Sequence, residues 1–412
     1  MKSFTEIKET LKEYQAGYLL NFYEELSEEE RENFMEQIEK IDFAYMKELY
    51  ESVKNGVTFE TGEKEISPIT AFDKTKLSEE EYQRLNILGE SLIKDGKLAV
   101  CSMAGGQGTR LGYNGPKGTF MLDLDGKPTS IFETIIHKLK MAYEAFGVHI
   151  YWYVMTSRQN HAVTVKFFKD NNYFGYDKNY ILFFEQGELP LIDKSGKVVM
   201  KDKSHIFMAP DGNGGIFKAL EDKKILNHMR EHGIEYLAVG NVDNILINMV
   251  DPVTVAVMKE NQSEALSKVF MKPSPEGKWG VFCKIDGIPH VIEYSETPKE
   301  LLEARNEAGE LIYGDVHFGC NFFHINLLNR IASEKLPMHA ASKKNKFLAE
   351  NGAEKEEEVY KFEAFIFDAF TMANNLIVCR VKREEEFAPI KNKEGDESPE
   401  TAVELYKKFY HQ

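Results

Sequence analysis

A chain of 412 residues with 42% hydrophobic and 29% charged side chains is long enough for two or three compact units and a sizeable core, as in a multi-domain soluble enzyme. Its formal charge of −16 argues against broad binding to nucleic acid or to an anionic membrane, so an anionic substrate must be caught by a few local cations. The opening Met1-Lys-Ser-Phe-Thr-Glu-Ile-Lys8 lacks the apolar core of a signal peptide, and no apolar run nears membrane-spanning length. Four widely spaced cysteines, Cys101, Cys283, Cys320 and Cys379, read as reduced thiols, so the expectation is a cytoplasmic protein.

Residues 1–95 are predicted to be mostly helical. Ser27-Glu-Glu-Glu30 and Ser78-Glu-Glu-Glu81 fit the capping box, in which serine accepts from the third helical N–H and glutamate accepts from the serine N–H. Phe34, Ile38, Ile41 and Tyr45 fall on one helical face, read as an apolar stripe under a solvated acidic surface. From Lys97 the texture changes. Lys97–Met103 reads as a strand, Ser130-Ile-Phe-Glu133 caps a helix running towards Ala145, and Val148–Thr156 is a second strand. Ile181–Gln186 and Tyr236–Val242 add two more, which predicts an α/β fold with an open, mostly parallel, Rossmann-like sheet. Residues 263–330 read as β-rich, with breaks at Pro273-Ser-Pro-Glu-Gly277 and Asp286-Gly-Ile-Pro289. Residues 340–358, with Lys343-Lys-Asn-Lys346 and Glu354-Lys-Glu-Glu-Glu358, read as an exposed loop before a small last α/β portion. The expected division is a helical region 1–95, a central catalytic domain 96–330 and a C-terminal portion 331–412.

Ligands of open parallel sheets collect at the carboxyl ends of strands, and a glycine-rich loop, Gln186 and Asp243 all follow predicted strands directly. In Ala104-Gly-Gly-Gln-Gly-Thr-Arg-Leu-Gly112 and Pro116-Lys-Gly118, the glycines admit close approach of backbone N–H groups to a ligand, and Arg110 and Lys117 supply cationic charge for phosphate oxygens. The loop is not a P-loop, because Lys117 is followed by Gly118, not by Ser or Thr. Nor is it the dinucleotide pattern, since Leu111 stands where the third glycine belongs. A turn with no ligand is the plain alternative, and the intact Gly-Thr-Arg-Leu-Gly with Pro-Lys-Gly counts against it.

These residues resemble the signature loop of the UDP-sugar pyrophosphorylases, most closely the UDP-N-acetylhexosamine pyrophosphorylases. Glu185-Gln-Gly-Glu-Leu-Pro190, Met208-Ala-Pro-Asp-Gly-Asn-Gly-Gly215, Val242-Asp-Asn-Ile-Leu246, Glu293-Tyr-Ser-Glu296, Lys361-Phe-Glu-Ala-Phe-Ile-Phe-Asp368 and Arg383-Glu-Glu-Glu-Phe-Ala-Pro-Ile-Lys-Asn392 recur in the family's order, over most of residues 60–405. The resemblance implies a nucleotide-diphospho-sugar transferase sheet and a uridylyltransferase that makes a UDP-sugar and pyrophosphate from UTP and a sugar 1-phosphate, with Mg²⁺ as cofactor. It implies nucleotide contacts from Ala104, Gly105, Gly106, Gln107, Gln186, Gly212 and Lys361, and sugar-phosphate contacts from Asn213, Glu293, Tyr294, Asn321 and Lys391. The segment holding Asn321 follows the family's asparagine-rich strand only loosely.

Joining a sugar phosphate to UTP needs in-line attack on the α-phosphorus and no protein nucleophile, so catalysis is positioning plus charge neutralisation. Arg110 and Lys117 are the expected catalytic cations and Asp243 the expected Mg²⁺ ligand, against a surface pair and a turn carboxylate as the plainer readings. The eleven histidines read as structural, with no metal-spaced pair on a helix. N-acetylglucosamine 1-phosphate is the favoured sugar and glucose 1-phosphate the runner-up. A UDP-sugar-using glycosyltransferase would be expected to carry Asp-x-Asp where this chain has Val242-Asp-Asn244, and a non-catalytic sensor should have lost Arg110, Lys117 or Asp243.

Overall fold

Leu98-Ala-Val-Cys-Ser-Met103 is buried along its whole length, as a strand covered on both faces must be, and it forms the middle of the main sheet. The structure is a computed structural model and describes residues 3–54, 64–277, 279–294 and 296–410. Residues 1–2, 55–63, 278, 295 and 411–412, touched by the readings of the N-terminal region, the β-rich segment, the Glu293–Glu296 motif and the C-terminal portion, lie outside the described residues. The chain divides into two compact units, each assembled from separate stretches: Lys64–Gln186, Ile216–Lys335 and Phe367–Gln412 in one, Met1–Glu63, Gly187–Gly215 and Leu336–Ile366 in the other. The expected edges at 95 and 330 do not coincide with these boundaries, because the helix Glu79–Lys94 is part of the first unit and the chain returns twice to the second.

The first unit contains α1 (Glu79–Lys94), β1 (Leu98–Met103), α2 (Ile131–Phe146), β2 (Trp152–Thr156), β3 (Ile181–Glu185), β4 (Tyr236–Asn241), α3 (Pro252–Glu260), β5 (Ala265–Met271), β6 (Asp315–His324), β7 (Leu376–Arg380) and α4 (Pro399–Tyr410). The sheet runs Phe72–Asp73, β7, β5, β6, β4, β1, β2, β3, and β6 alone in this row is antiparallel to its neighbours. A hairpin, Val281–Ile285 with Ile288–Ile292, joins it where Val281 faces Val316, and it turns at Asp286-Gly287 as expected. Asn241 lies opposite Met103, Met103 opposite Met155, and Thr156 opposite Glu185, so four parallel strands end in line. Serine and glutamate close the expected capping boxes of α1 and α2 at Ser78/Glu81 and Ser130/Glu133. Phe132, Trp152 and Phe168 meet edge to face under the sheet, and the Trp152 indole donates to Ser102 Oγ at 2.9 Å.

Strand β2 is shorter than expected, beginning at Trp152, and residues 148–151 approach it without pairing as strand. Phe34 and Ile38 belong to a helix Glu28–Glu39, but Ile41 and Tyr45 do not continue its face: the chain restarts as Phe43–Lys54, and the two helices share one core. That core joins Leu11, Phe34, Ile38, Met46 and Leu49 to Ile192, Val198, Met200 and Phe362. The largest departure is residues 340–358, which form no loop. His339–Leu348 and Glu354–Glu363 are two ten-residue antiparallel strands within the five-stranded sheet of the second unit. Their charges stand on solvent-facing positions, Lys346 pairing with Glu354 at 3.2 Å, while Phe347, Val359 and Phe362 go inside. His228 and His232, four residues apart at the end of the helix Ile225–Glu231, stack at 4.1 Å, a metal-pair spacing not credited from the sequence. Among the described residues, no group of three or more His, Cys, Asp or Glu gathers as a metal site. All four cysteines are free and buried.

Behind the sheet edge lies a cluster of buried charge. The Lys268 ammonium, wholly buried on β5, contacts Asp251 at 2.7 Å, both Glu386 carboxylate oxygens at 2.8 and 2.9 Å, and the Asn248 carbonyl at 2.9 Å. Lys74 reaches the other side of the cluster, 2.5 Å from Asp251. Burial opposes ionisation of Asp251, but the two flanking ammoniums outweigh it and hold that carboxyl well below the usual carboxylate range. Lys268→Met would leave Asp251 and Glu386 sharing Lys74 alone. A loss of about 3–5 kcal/mol in unfolding free energy is expected. Denaturant titration followed by tryptophan emission isolates this unit, since Trp152 and Trp279 both belong to it.

Candidate active site

The glycine loop leaves β1 with the Ala104 N–H donating to the Met155 carbonyl, and then folds back on itself. The Lys117 N–H donates to the Gly106 carbonyl at 3.1 Å, and the Gly108 N–H to Gly115 at 2.9 Å, closing a ring that returns Lys117 to the strand edge. Asn160, buried after β2, supports the ring from beneath. Its amide nitrogen donates to the Ala104 carbonyl at 3.0 Å and to Gly106 at 3.4 Å, while its oxygen accepts from the Ser157 N–H. Nothing in the local sequence marks Asn160 for this role; only the parallel pairing of β1 and β2 brings it there.

Lys117 Nζ donates to Asp243 Oδ2 at 2.7 Å, across 126 residues of sequence, and both side chains are largely buried. With Gly106, Gln107, Thr109, Arg110 and Asn241 they line a cleft of about 290 Å³ at the carboxyl ends of β1 and β4. Arg110 is exposed on the loop. Gln186 follows β3, its N–H held by the Thr156 carbonyl at 2.8 Å, and its side-chain amide lies so close over Gly105 that a Cβ there would stand 2.4 Å from Oε1. Asp243 itself is fixed by main chain: its carbonyl accepts from the Ile390 N–H, and Asn244 donates to the Glu386 carbonyl and accepts from the Ala388 N–H.

Other predicted residues lie elsewhere. Lys391 follows the strip that holds Asp243, yet its ammonium pairs with Glu397 at 3.1 Å and lines a separate cavity with Trp279 and Arg383. Glu293 and Tyr294 are exposed beyond the hairpin, the Glu293 carboxyl pushed up by partial desolvation and by Glu296. Asn321 is wholly buried on β6, where Oδ1 accepts from Ser267 Oγ at 2.7 Å and faces His317 Nε2 at 3.1 Å, while Nδ2 has no partner. Gly212, Asn213 and Lys361 belong to the second unit. Gly212 has φ +88° and packs against the Ala364 carbonyl, Asn213 Oδ1 accepts from the Ile366 N–H at 2.9 Å, and Lys361 pairs with Glu363 at 2.6 Å.

A parallel edge bearing a closed glycine loop, a lysine–carboxylate pair and an exposed arginine is the build of a nucleotide-handling α/β enzyme. Comparison with known proteins narrows this. The family model described as UTP--glucose-1-phosphate uridylyltransferase matches residues 43–396. The UDP-N-acetylglucosamine pyrophosphorylase of Saccharomyces cerevisiae is 34% identical over 433 residues, covering 98% of this chain and 90% of that protein. UDP-N-acetylhexosamine pyrophosphorylase-like protein 1 of Homo sapiens is 33% identical, covering 98% of this chain and 83% of that protein. The crystal structure of the uridine diphosphate N-acetylglucosamine pyrophosphorylase from Trypanosoma brucei with an inhibitor matches at a TM-score of 0.82 and 29% identity, covering 98% of this chain and 84% of that one. This chain belongs to the UTP--glucose-1-phosphate uridylyltransferase family.

Burial of His317, which faces Asn321 on β6, gives the sheet unit an acid sensitivity. Burial pulls the His317 imidazole down from 6.5 to about 4, only partly offset by its bond to Asn321. The unfolded chain therefore binds a proton that the folded chain refuses, and stability should be lost as pH falls from about 6.5 towards 4. In His317→Gln that component disappears: the denaturation midpoint should drop less between pH 7 and pH 4.5 than in the unaltered protein.

Proposed function

We propose that the substrates are UTP and N-acetylglucosamine 1-phosphate, and the products UDP-N-acetylglucosamine and pyrophosphate, with the cleft around Lys117 and Asp243 as the reacting centre. The observation that carries this is the 2.7 Å Lys117–Asp243 pair beside Arg110, a fixed cation and a carboxylate held at the strand ends by opposing main-chain segments. A sugar-phosphate oxygen attacks the α-phosphorus, the bond to the β-bridging oxygen breaks, and pyrophosphate leaves with the displaced electron pair. Lys117 and Arg110 neutralise the charge that builds on the transferring and leaving phosphates. Gln186 offers both a donor and an acceptor to a uracil edge.

Asp243 is the donor we assign to Mg²⁺. A single carboxylate suits that ion, which takes one or two carboxylates and completes its shell with phosphate oxygens and water. When bound, it would supply charge neutralisation between the phosphates. We place Glu293 and Tyr294 on the sugar phosphate, and Ala104, Gly105, Gly106 and Gln107 on the nucleotide. Relatives named for the N-acetylated sugar are above 30% identity over nearly the whole chain, which supports that substrate; the family description favours glucose 1-phosphate as the second reading. The cytoplasm is the proposed location: the four thiols are unpaired, and no helix among the described residues is long and apolar enough to cross a membrane.

Pyrophosphate release from UTP, Mg²⁺ and a panel of sugar 1-phosphates tests this directly. N-acetylglucosamine 1-phosphate should exceed glucose 1-phosphate by roughly tenfold or more in kcat/KM, because glucose leaves groups built for the acetamido moiety unpaired. A preference for glucose 1-phosphate would transfer the assignment to the runner-up sugar. Lys117→Ala should lower turnover by a factor on the order of 10² or more with little change in folding. Near-normal turnover at saturating substrates would remove Lys117 from the reacting centre.

A further inference from the structure

The turn that carries Asp243 into α3 is held by main-chain carbonyls as well as by side chains. Lys138, on α2, donates to the Ile245 carbonyl at 2.7 Å and to the Ile247 carbonyl at 2.7 Å, and Lys268 takes the next one, Asn248, at 2.9 Å. No carboxylate of the described residues pairs with Lys138. An ammonium taken from water without a counter-charge is costly, and burial pulls this one down to about 7, with Glu386 the main opposing influence. The same turn borders a cavity of about 630 Å³, lined by Leu246, Ile247, Asn248 and Met249 on one side and by Lys138, Leu139 and Ala142 of α2 on the other. Close packing therefore does not fill the space on that side of the turn, and the ammonium spans it.

From this geometry we infer that Lys138 is a positioning residue for Asp243: by clamping the carbonyls of Ile245 and Ile247 it fixes the turn that presents the carboxylate to Lys117. The path is short. Asp243 and Asn244 are tied to the strip Glu386–Ile390 on one side of the chain, and Lys138 holds the carbonyls that follow on the other. Release of those carbonyls leaves two main-chain acceptors unsatisfied and lets the turn swing into the cavity, carrying Asp243 off its contact. A small misplacement of a catalytic group costs a large factor in rate.

The kinetic half of this inference rests on the uridylyltransferase reading, and the test separates the two. In Lys138→Met, hydrogen exchange of the amides of residues 244–248 should accelerate at least about tenfold while those of β1 stay protected, a readout that needs no turnover. In the pyrophosphate-release assay, kcat should fall by roughly tenfold and the half-saturating Mg²⁺ should rise, with the KM for UTP changed by less than about threefold. Lys138→Arg, which keeps the donors, should recover most of the rate. Unaltered exchange at 244–248, or a wild-type kcat in Lys138→Met, overturns the positioning role. If Lys138→Met does not fold, a folded Lys138→Arg whose kcat falls about tenfold while exchange at 244–248 stays as in the unaltered protein overturns it too, since the rate would then not follow the turn. If the unaltered protein releases no pyrophosphate with any sugar phosphate, the function reading fails alone, and the exchange result still decides on Lys138.

Discussion

Lys268 projects from β5 into a space walled by Asp251, Glu386 and the Asn248 carbonyl, and an ammonium survives there only because all three face it. Those partners come from two distant parts of the chain, residues 248–251 at the entry to α3 and the segment after β7, while β5 supplies the cation itself. One buried cation thus fixes the relation among three segments that the hydrophobic effect, being non-directional, would leave free to slide. Glu386 then opens the strip whose main chain binds Asp243 and Asn244. The cleft at the sheet edge inherits its order from this cluster one layer behind it.

The second requirement is register. Because β4, β1, β2 and β3 end level, a loop of one composition, a glutamine and a carboxylate from positions far apart in sequence reach one edge. Main-chain bonds close the glycine loop and return Lys117 to that edge before any ligand arrives, so few groups need reorganising when charge develops. Asn160 contributes the remaining restraint from the neighbouring strand end.

Elements fixed by local chemistry were legible in the sequence. The boxes at Ser27, Ser78 and Ser130 form as their spacing requires, and the apolar runs of β1, β3 and β4 become strands within a residue of the expected ends. Elements fixed by tertiary partners were not. Residues 340–358 look like a solvated loop because lysine and glutamate dominate; only pairing across His339–Leu348 and Glu354–Glu363, with Phe347 and Val359 turned inward, makes them strands. The apolar stripe from Phe34 to Tyr45 crosses a helix break at residues 40–42, which periodicity alone does not see. At the site, Lys117 and Asp243 were visible through their motifs, whereas Asn160 and Lys138 act through carbonyls of other segments. A carbonyl belongs to every residue type, so no pattern of side chains announces it.

Cys101 sits on β1, Cys320 on β6, Cys379 on β7 and Cys283 on the attached hairpin, so every thiol belongs to the sheet unit and none to its companion. Burial raises all four well above the ordinary thiol range, Cys283, Cys320 and Cys379 to about 12, and the thiolate is the reactive species. The folded sheet is therefore chemically silent towards alkylating reagents and mild oxidants. Each thiol becomes reactive only when its own strand opens, which makes the natural cysteines four position-coded reporters of local breathing in one unit, free of background from the other.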